Sequence, residues 1–269
     1  MSGGPDSLAL LVLACEHGCD VTAVHVDHGL RDGSAAEADV VRDAAARFGA
    51  AFRAERVELA PGGNVEARAR AARRAVLPPD HATGHTADDR AETVLLAMLR
   101  GSGLDGLAAL RPGPAHPILG LRRADTHALC AERGLAPVRD PTNDDPRFAR
   151  NRVRHEVLPL LDDVAERDVV PLLCRLADLA AADVDALDRL AAAAVPDPTD
   201  ARAVAAADAS LGSRAIRTWL RGHDPEGHPP ELAALARVLD VVHGRAVATE
   251  LPGGGRVART GGRLRFEGH

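Results

Sequence analysis

The chain has 269 residues, 46% of them apolar and 27% charged, with a formal net charge of −6. That suits one large globular domain, or a medium one with a small companion, and gives no whole-chain basic signal for nucleic acid. All 33 basic residues are Arg, which excludes mechanisms that need a lysine of the protein's own, such as a Walker lysine or a Schiff base. The four cysteines (Cys15, Cys19, Cys130 and Cys174) form no C-x-x-C pair. With no secretory leader pattern and no apolar run of membrane length, the expected setting is a reducing cytoplasm.

Aromatic residues make up only 2%, so the core must be aliphatic. Taken in chain order, Val21–Val26 predicts a strand, Ser34–Phe48 a helix, Phe52–Val57 a strand and Val65–Leu77 an Arg-rich helix. His81–Gly84 fits a short strand, and Asp88–Arg100 a helix with Val94, Leu95, Met98 and Leu99 on one face. Strands alternating with helices predict an α/β fold, a doubly wound parallel sheet covered by helices. From Asp162 to Ala194 the pattern is helical, with Leu172, Leu173, Leu176, Leu179, Leu187 and Leu190 as its stripe, and the Pro-rich Val195–Thr199 follows as a break. Helices are predicted at Leu211–Leu220 and Pro230–Val242, then β-like runs with Gly-rich turns over Ala246–Phe266. The expected organisation is a catalytic domain over 1–161, a helical linker over 162–195 and a small α+β domain over 196–269.

The chain opens with Ser2-Gly3-Gly4-Pro5-Asp6-Ser7, followed at once by an apolar helical run. Glycines let a backbone approach an anion closely, and Pro suits the first turn of a helix. The helix start then directs free N–H groups and partial positive charge at a phosphate. Ser2 and Ser7 add hydroxyl donors. Asp6 would repel phosphate unless it holds the accompanying Mg²⁺. The pattern S-G-G-x-D-S resembles the phosphate loop of the PP-loop ATP pyrophosphatases, which split ATP between its α- and β-phosphates. In that fold a strand runs into the loop. Here the loop begins at residue 2, so the first strand looks missing, and the expectation is that the natural start lies upstream of Met1.

Four further blocks narrow the resemblance. They are His25-Val26-Asp27-His28-Gly29-Leu30-Arg31; Asn64-Val65-Glu66 with Ala69-Arg70 and Arg73; Gly84-His85-Thr86-Ala87-Asp88-Asp89-Arg90-Ala91-Glu92-Thr93; and Asp140-Pro141-Thr142-Asn143-Asp144-Asp145 running on to His155. In this order and spacing they resemble the tRNA(Ile)-lysidine synthetases across about the first 160 residues. Leu251-Pro252-Gly253-Gly254 with Val257 resembles that family's small C-terminal domain. Three positions depart from the pattern: Arg74 stands where Tyr is usual, His116-Pro117-Ile118-Leu119 where Arg-Pro-Leu-Leu is usual, and Val138 where an aromatic is common.

The resemblance implies a two-step reaction on an isoleucine tRNA with a CAU anticodon. ATP adenylates the C2 carbonyl of the wobble cytidine, and the amine of free L-lysine then displaces AMP to give lysidine. It implies that Ser2, Gly3, Gly4, Pro5, Asp6 and Ser7 bind ATP, with Asp6 on Mg²⁺. Asp89 and Glu92, three residues apart and so on one helical face, would capture and deprotonate the lysine; they also suit a helix start on electrostatic grounds alone. His85 would meet the reacting phosphate or developing charge. Arg73 would hold the lysine carboxylate or else simply face solvent. Arg147, Arg150 and Arg152 would contact tRNA or phosphate. Arg154 is the candidate for stabilising the adenylation transition state, with Arg150 as runner-up.

Gly101-Ser102-Gly103-Leu104-Asp105-Gly106 matches a dinucleotide fingerprint, but it follows a helix rather than a strand and reads as a helix end. The His25/His28 and His81/His85 pairs lack the partners of a zinc site. Two other functions stay open: another PP-loop tRNA-modifying enzyme of the 2-thiolase type, for which paired cysteines are missing, or an inactive tRNA-binding relative.

Overall fold

In the computed structural model the described residues are 1–27, 34–57, 68, 72–73, 75–139, 141–224, 227, 230–252 and 254–268. His28–Arg31, Asn64–Glu66, Ala69, Arg70, Arg74 and Asp140 of the motif blocks lie outside them. The chain divides into two compact units, Met1–Ala181 and Ala182–His269.

In the first unit, helix α1 (Pro5–Glu16) leads to strand β1 (Thr22–Asp27), helix α2 (Ser34–Phe48) and strand β2 (Ala51–Arg56). The strands pair in parallel, Thr22 opposite Ala51 through Asp27 opposite Arg56. A parallel pair cannot be closed by a tight turn, and α2 supplies the crossover. Leu8, Ala9 and Leu11 of α1 pack with Ala23, with Val41, Ala44 and Ala45 of α2, and with Cys130. Cys130 belongs to α5 (Arg123–Glu132), which follows α3 (Ala87–Leu99) and the short α4 (Leu104–Leu107). The small side chains let the helices lie close against the strand, so an almost aromatic-free sequence still builds a dry core.

A second cluster joins α3 to the segment after it. Ala87, Ala91 and Leu95 pack with Val153, Leu158, Val169 and Val170. Here α6 (Ala149–Arg152) runs through one wide π turn (Val153–Val157) into α7 (Leu158–Ala165), the Leu158 amide reaching back to the Val153 carbonyl. Pro159 offers no amide to continue the regular pattern, and a π turn accommodates that loss.

Three expectations need correction. His81–Gly84 is not a strand; Thr83 makes one backbone bond to Ala115, too little for a ladder. On α3, Met98 and Leu99 are exposed, because the buried face runs through Ala87, Ala91, Val94 and Leu95 and takes in Glu92. On α8 (Val170–Ala194), Leu176, Leu179 and Leu190 are exposed while Ala177, Ala180, Val184 and Ala191 are buried. The buried face of this helix is lined by small residues rather than by the leucine stripe. Gly101 does end α3: with a φ of 67° it sits in the left-handed region, and the Ser102 amide returns to Ala97.

The second unit holds α9 (Ala201–Ala206), α10 (Ala209–Arg221) and α11 (Leu232–Val242), followed by the antiparallel strands β3 (Ala248–Glu250), β4 (Arg256–Thr260) and β5 (Arg263–Glu267). Its core gathers Val195, Val204, Ile216, Leu220, Leu235, Val238, Val241, Val257 and Leu264. Asp200 and Asp208 cap α9 and α10 by accepting from their first amides. Gly212 marks where these two helices meet, since a Cβ there would lie 2.8 Å from the Val204 carbonyl oxygen. Helix propensity alone would favour Gly212→Ala by about 1 kcal/mol. The backbone clash reverses that sign, and the variant is expected to lose about 1–3 kcal/mol in urea unfolding.

Candidate functional site

The opening loop has the geometry its residues predict. Gly3 adopts a φ of 74°, and a Cβ there would lie 2.8 Å from the Val138 side chain. Gly4 is extended and caps α1, with Pro5 at the first turn. The Ser7 hydroxyl donates to the Gly4 carbonyl at 2.9 Å, the Gly4 amide donates to Ser2 Oγ at 3.3 Å, and the two serine hydroxyls lie 3.4 Å apart. Ser2 is exposed and Pro5–Ser7 half-buried, which leaves a helix start able to accept an anion.

Gly84 is pressed against this loop. A Cβ on it would stand 2.7 Å from the Asp6 carbonyl oxygen and 3.1 Å from the Ser7 nitrogen. That contact brings the beginning of α3 to the beginning of α1. Asp89 anchors the α3 start by accepting from the Thr86 amide and hydroxyl, both at 2.9 Å, as an N3 carboxylate does.

Behind the loop lies a cluster of carboxylates and guanidinium groups. Glu92 has no exposure to solvent. Arg154 grips it with two bonds, Nε at 2.7 Å and Nη2 at 3.1 Å, and Arg123 Nη2 donates to it at 3.2 Å. Arg150 stands 3.8 Å away and donates to Thr93 Oγ1 at 3.1 Å. The same Arg123 nitrogen donates to Asp89 Oδ1 at 3.2 Å, while Arg123 Nε lies 3.9 Å from Asp6 Oδ2. Asp6 also accepts from the Thr126 hydroxyl. Burial raises the Asp6 pKa, the nearby Asp89 charge adds to the rise, and the Thr126 bond and Arg123 oppose it.

His85 stands at the rim. Burial lowers its pKa; Asp89 pulls it upward, and His116, Arg150 and Arg73 push it down. Arg73 is exposed. The anticipated Arg run does not act as a unit: Arg150 and Arg154 turn toward Glu92, whereas Arg147 pairs with Asp145 and Arg152 with Glu156 on the exposed surface. The π turn follows Arg152 and carries Arg154, and Asn151 fixes the preceding loop by donating to the Thr142 and Asp145 carbonyls at 2.7 and 2.9 Å.

Asp6, Asp89, Glu92 and Arg154 are thus brought together with Arg150 nearby. Sequence reasoning missed Arg123 and Thr126, which tie Asp6 to the α3 carboxylates. The only signal for them was their place at the start of a helix soon after His116–Leu119. Asp88, part of the acidic helix start in the motif block, accepts from the Arg123 amide at 2.7 Å and from Arg122 at 3.1 Å. Because Glu92 is the shared acceptor, Glu92→Gln leaves like-charged guanidinium groups facing one another; a stability loss on the order of 3 kcal/mol is expected in denaturant unfolding.

A PP-loop domain family matches residues 1–161. The tRNA(Ile)-lysidine synthase of Mycolicibacterium paratuberculosis is 42% identical over an alignment of 270 positions, covering 94% of this chain and 84% of that one. That of Nocardia farcinica is 45% identical, covering 82% and 74%, and that of Cutibacterium acnes 37% identical, covering 94% and 85%. Among solved structures, the U34-tRNA thiolase NcsA from Methanococcus maripaludis superposes with a TM-score of 0.52 at 18% identity, over 66% of this chain and 70% of that one, a likeness of fold. The extent and level of identity establish that the chain belongs to the tRNA(Ile)-lysidine synthase family of PP-loop proteins.

Proposed function

We propose that this chain is an ATP-dependent carbon–nitrogen ligase that makes lysidine at the wobble cytidine of a CAU-anticodon isoleucine tRNA. The observation that carries the reading is the direct seating of Gly84 on Asp6, which sets an open phosphate-binding helix start beside Asp89, Glu92 and Arg154. In the first step the cytidine C2 oxygen attacks the α-phosphorus of ATP and pyrophosphate leaves. In the second, the lysine amine, having lost a proton, attacks C2. The C2–O bond breaks and AMP departs with the oxygen.

The Ser2–Ser7 loop orients the triphosphate, and Arg154 faces the charge that builds on it. Among the described residues no group of three or more metal-ligating side chains occurs, while Asp6 Oδ2 is held only by Arg123 at 3.9 Å. A carboxylate oxygen with only that long ion pair, beside the proposed phosphate site, suits Mg²⁺, which binds through few protein ligands and neutralises phosphate oxygens. Asp6 would hold that ion. Asp89 and Glu92 would receive the lysine amine, a cation exchanging for guanidinium contacts already in place. Arg73 would meet the lysine carboxylate and Arg147, Arg150 and Arg152 the tRNA backbone, with residues 196–269 as a second tRNA contact. No described helix is long and apolar enough to cross a membrane, and the substrates place the reaction in the cytoplasm.

The test is transfer of labelled L-lysine to CAU-anticodon isoleucine tRNA with ATP and Mg²⁺. Incorporation by this chain, lost in Asp89→Asn, is the expected result; tRNA binding without incorporation would instead favour an inactive relative, and sulfur transfer a thiolase. A second expectation concerns Asp6. Its folded pKa lies above the unfolded value, so the native state binds a proton more readily than the unfolded chain. Stability therefore falls as pH rises from the unfolded pKa through the folded one, and the loss persists at neutral pH. Asp6→Asn should raise the Tm at pH 7 while abolishing ATP–pyrophosphate exchange, and the gain in Tm should shrink toward pH 3.

A further inference from the structure

Thr83, His85 and His116 form a hydrogen-bonded group at the edge of the proposed site. Thr83 Oγ1 lies 2.8 Å from His85 Nδ1, 2.8 Å from His116 Nδ1 and 3.1 Å from the Ala115 carbonyl oxygen. The two Nδ1 atoms are 3.4 Å apart, the longest of the four contacts, and the rings meet edge to face with centroids 5.1 Å apart. The Thr83 amide also donates to Ala115, at 2.9 Å, which pins the threonine backbone to the turn that carries His116.

A hydroxyl has one proton and two lone pairs. The Ala115 carbonyl can only accept. If the Thr83 proton goes there, its two lone pairs remain for the two rings, and each Nδ1 must then carry a hydrogen and donate. This assignment satisfies all three Thr83 contacts and sacrifices only the 3.4 Å approach, which is at the limit of hydrogen bonding. His116 has a specific part in it. Its Nδ1–H fills one lone pair, so the proton and the other lone pair are divided between Ala115 and His85, and only a proton directed at Ala115 keeps both contacts.

We propose that Thr83 and His116 are positioning residues that hold His85 as its Nδ1–H tautomer, leaving Nε2 as a lone-pair acceptor for the amine-transfer step. The inference rests on the lysidine reading for its consequence, though not for its geometry. No described residue bonds Nε2. Burial lowers the His85 pKa, helped by His116, Arg150 and Arg73 and opposed by Asp89; burial and His81 lower that of His116, opposed by its bond to the Ala115 backbone. With a lone pair on Nε2, His85 can take one proton from the lysine ammonium, whose freed pair then attacks C2. The other tautomer would present an N–H and could only donate, for example to a phosphate oxygen.

The tautomer can be read from two-bond nitrogen–proton correlations of the full chain labelled with ¹⁵N-histidine, His85 being assigned by the signal lost in His85→Gln. The expected result is Nδ1–H in the unmodified chain and in Thr83→Ser, a change toward Nε2–H in Thr83→Val, and a mixture in His116→Phe. Lysine transfer from pre-adenylated tRNA should fall on the order of 100-fold in Thr83→Val and recover in Thr83→Ser, with ATP–pyrophosphate exchange affected less. An Nε2–H tautomer in the unmodified chain overturns the proposal without any variant having to fold, and so does an unchanged tautomer in both Thr83→Val and His116→Phe. Since the spectrum needs no substrate, failure of the chain to make lysidine would remove the functional reading and leave the tautomer result standing.

Discussion

Glu92 is a carboxylate with no contact with water, and the arrangement around it follows from that. Removing such a charge from solvent costs several kcal/mol unless cations and hydrogen bonds replace the water. Arg154 and Arg123 supply the replacement, and Arg150 stands at the edge. To reach Glu92 these side chains must come from the π turn, from the start of α5 and from α6, so one buried charge draws three segments to the same point. Asp89 shares Arg123 and fixes the start of its own helix. Arg123 extends the network toward Asp6, and Thr126 holds that residue from the same helix.

The network gives the site a balance of charge that a substrate must disturb. Asp6, Asp89 and Glu92 face Arg123, Arg150 and Arg154. A triphosphate bound at the loop, as proposed, would add negative charge on one side. A lysine ammonium bound at the carboxylates, as proposed, would add positive charge on the other. Each ligand would therefore weaken a different set of internal pairs. Guanidinium is suited to such exchange because it stays protonated and keeps several donors, so one bond can be given up while others persist.

Much of the fold was legible because its signals are local. Alternating apolar runs marked β1 and β2, the apolar run after the opening loop marked α1, the helical spacing of Ala and Val marked α2, and Val195–Thr199 marked a break. The faces of α3 and α8 were less legible, because their packing uses alanine where hydrophobicity alone points to leucine and methionine. The site was legible where a motif carried it: the loop, Asp89, Glu92 and Arg154 all converge. Arg123, Thr126, Thr83 and His116 were not, since their roles come from neighbours more than 30 positions away in sequence or from a hydroxyl's geometry. No periodicity encodes a long-range bond such as that from Thr126 to Asp6.

The seating of Gly84 on the backbone of Asp6 and Ser7 has a consequence for how the two substrates sense one another. With no side chain between them, the backbone of the opening loop and the segment leading into α3 are in direct contact. If the loop settled around a nucleotide, as proposed, the displacement would press on the segment that leads to Asp89 and Glu92. If that displacement favours the amino acid, occupancy by the amino acid must favour the nucleotide by the same factor, since a coupling free energy between two sites is reciprocal. On that reading a single hydrogen atom in place of a methyl group would tie two affinities together, and widening that contact would uncouple them.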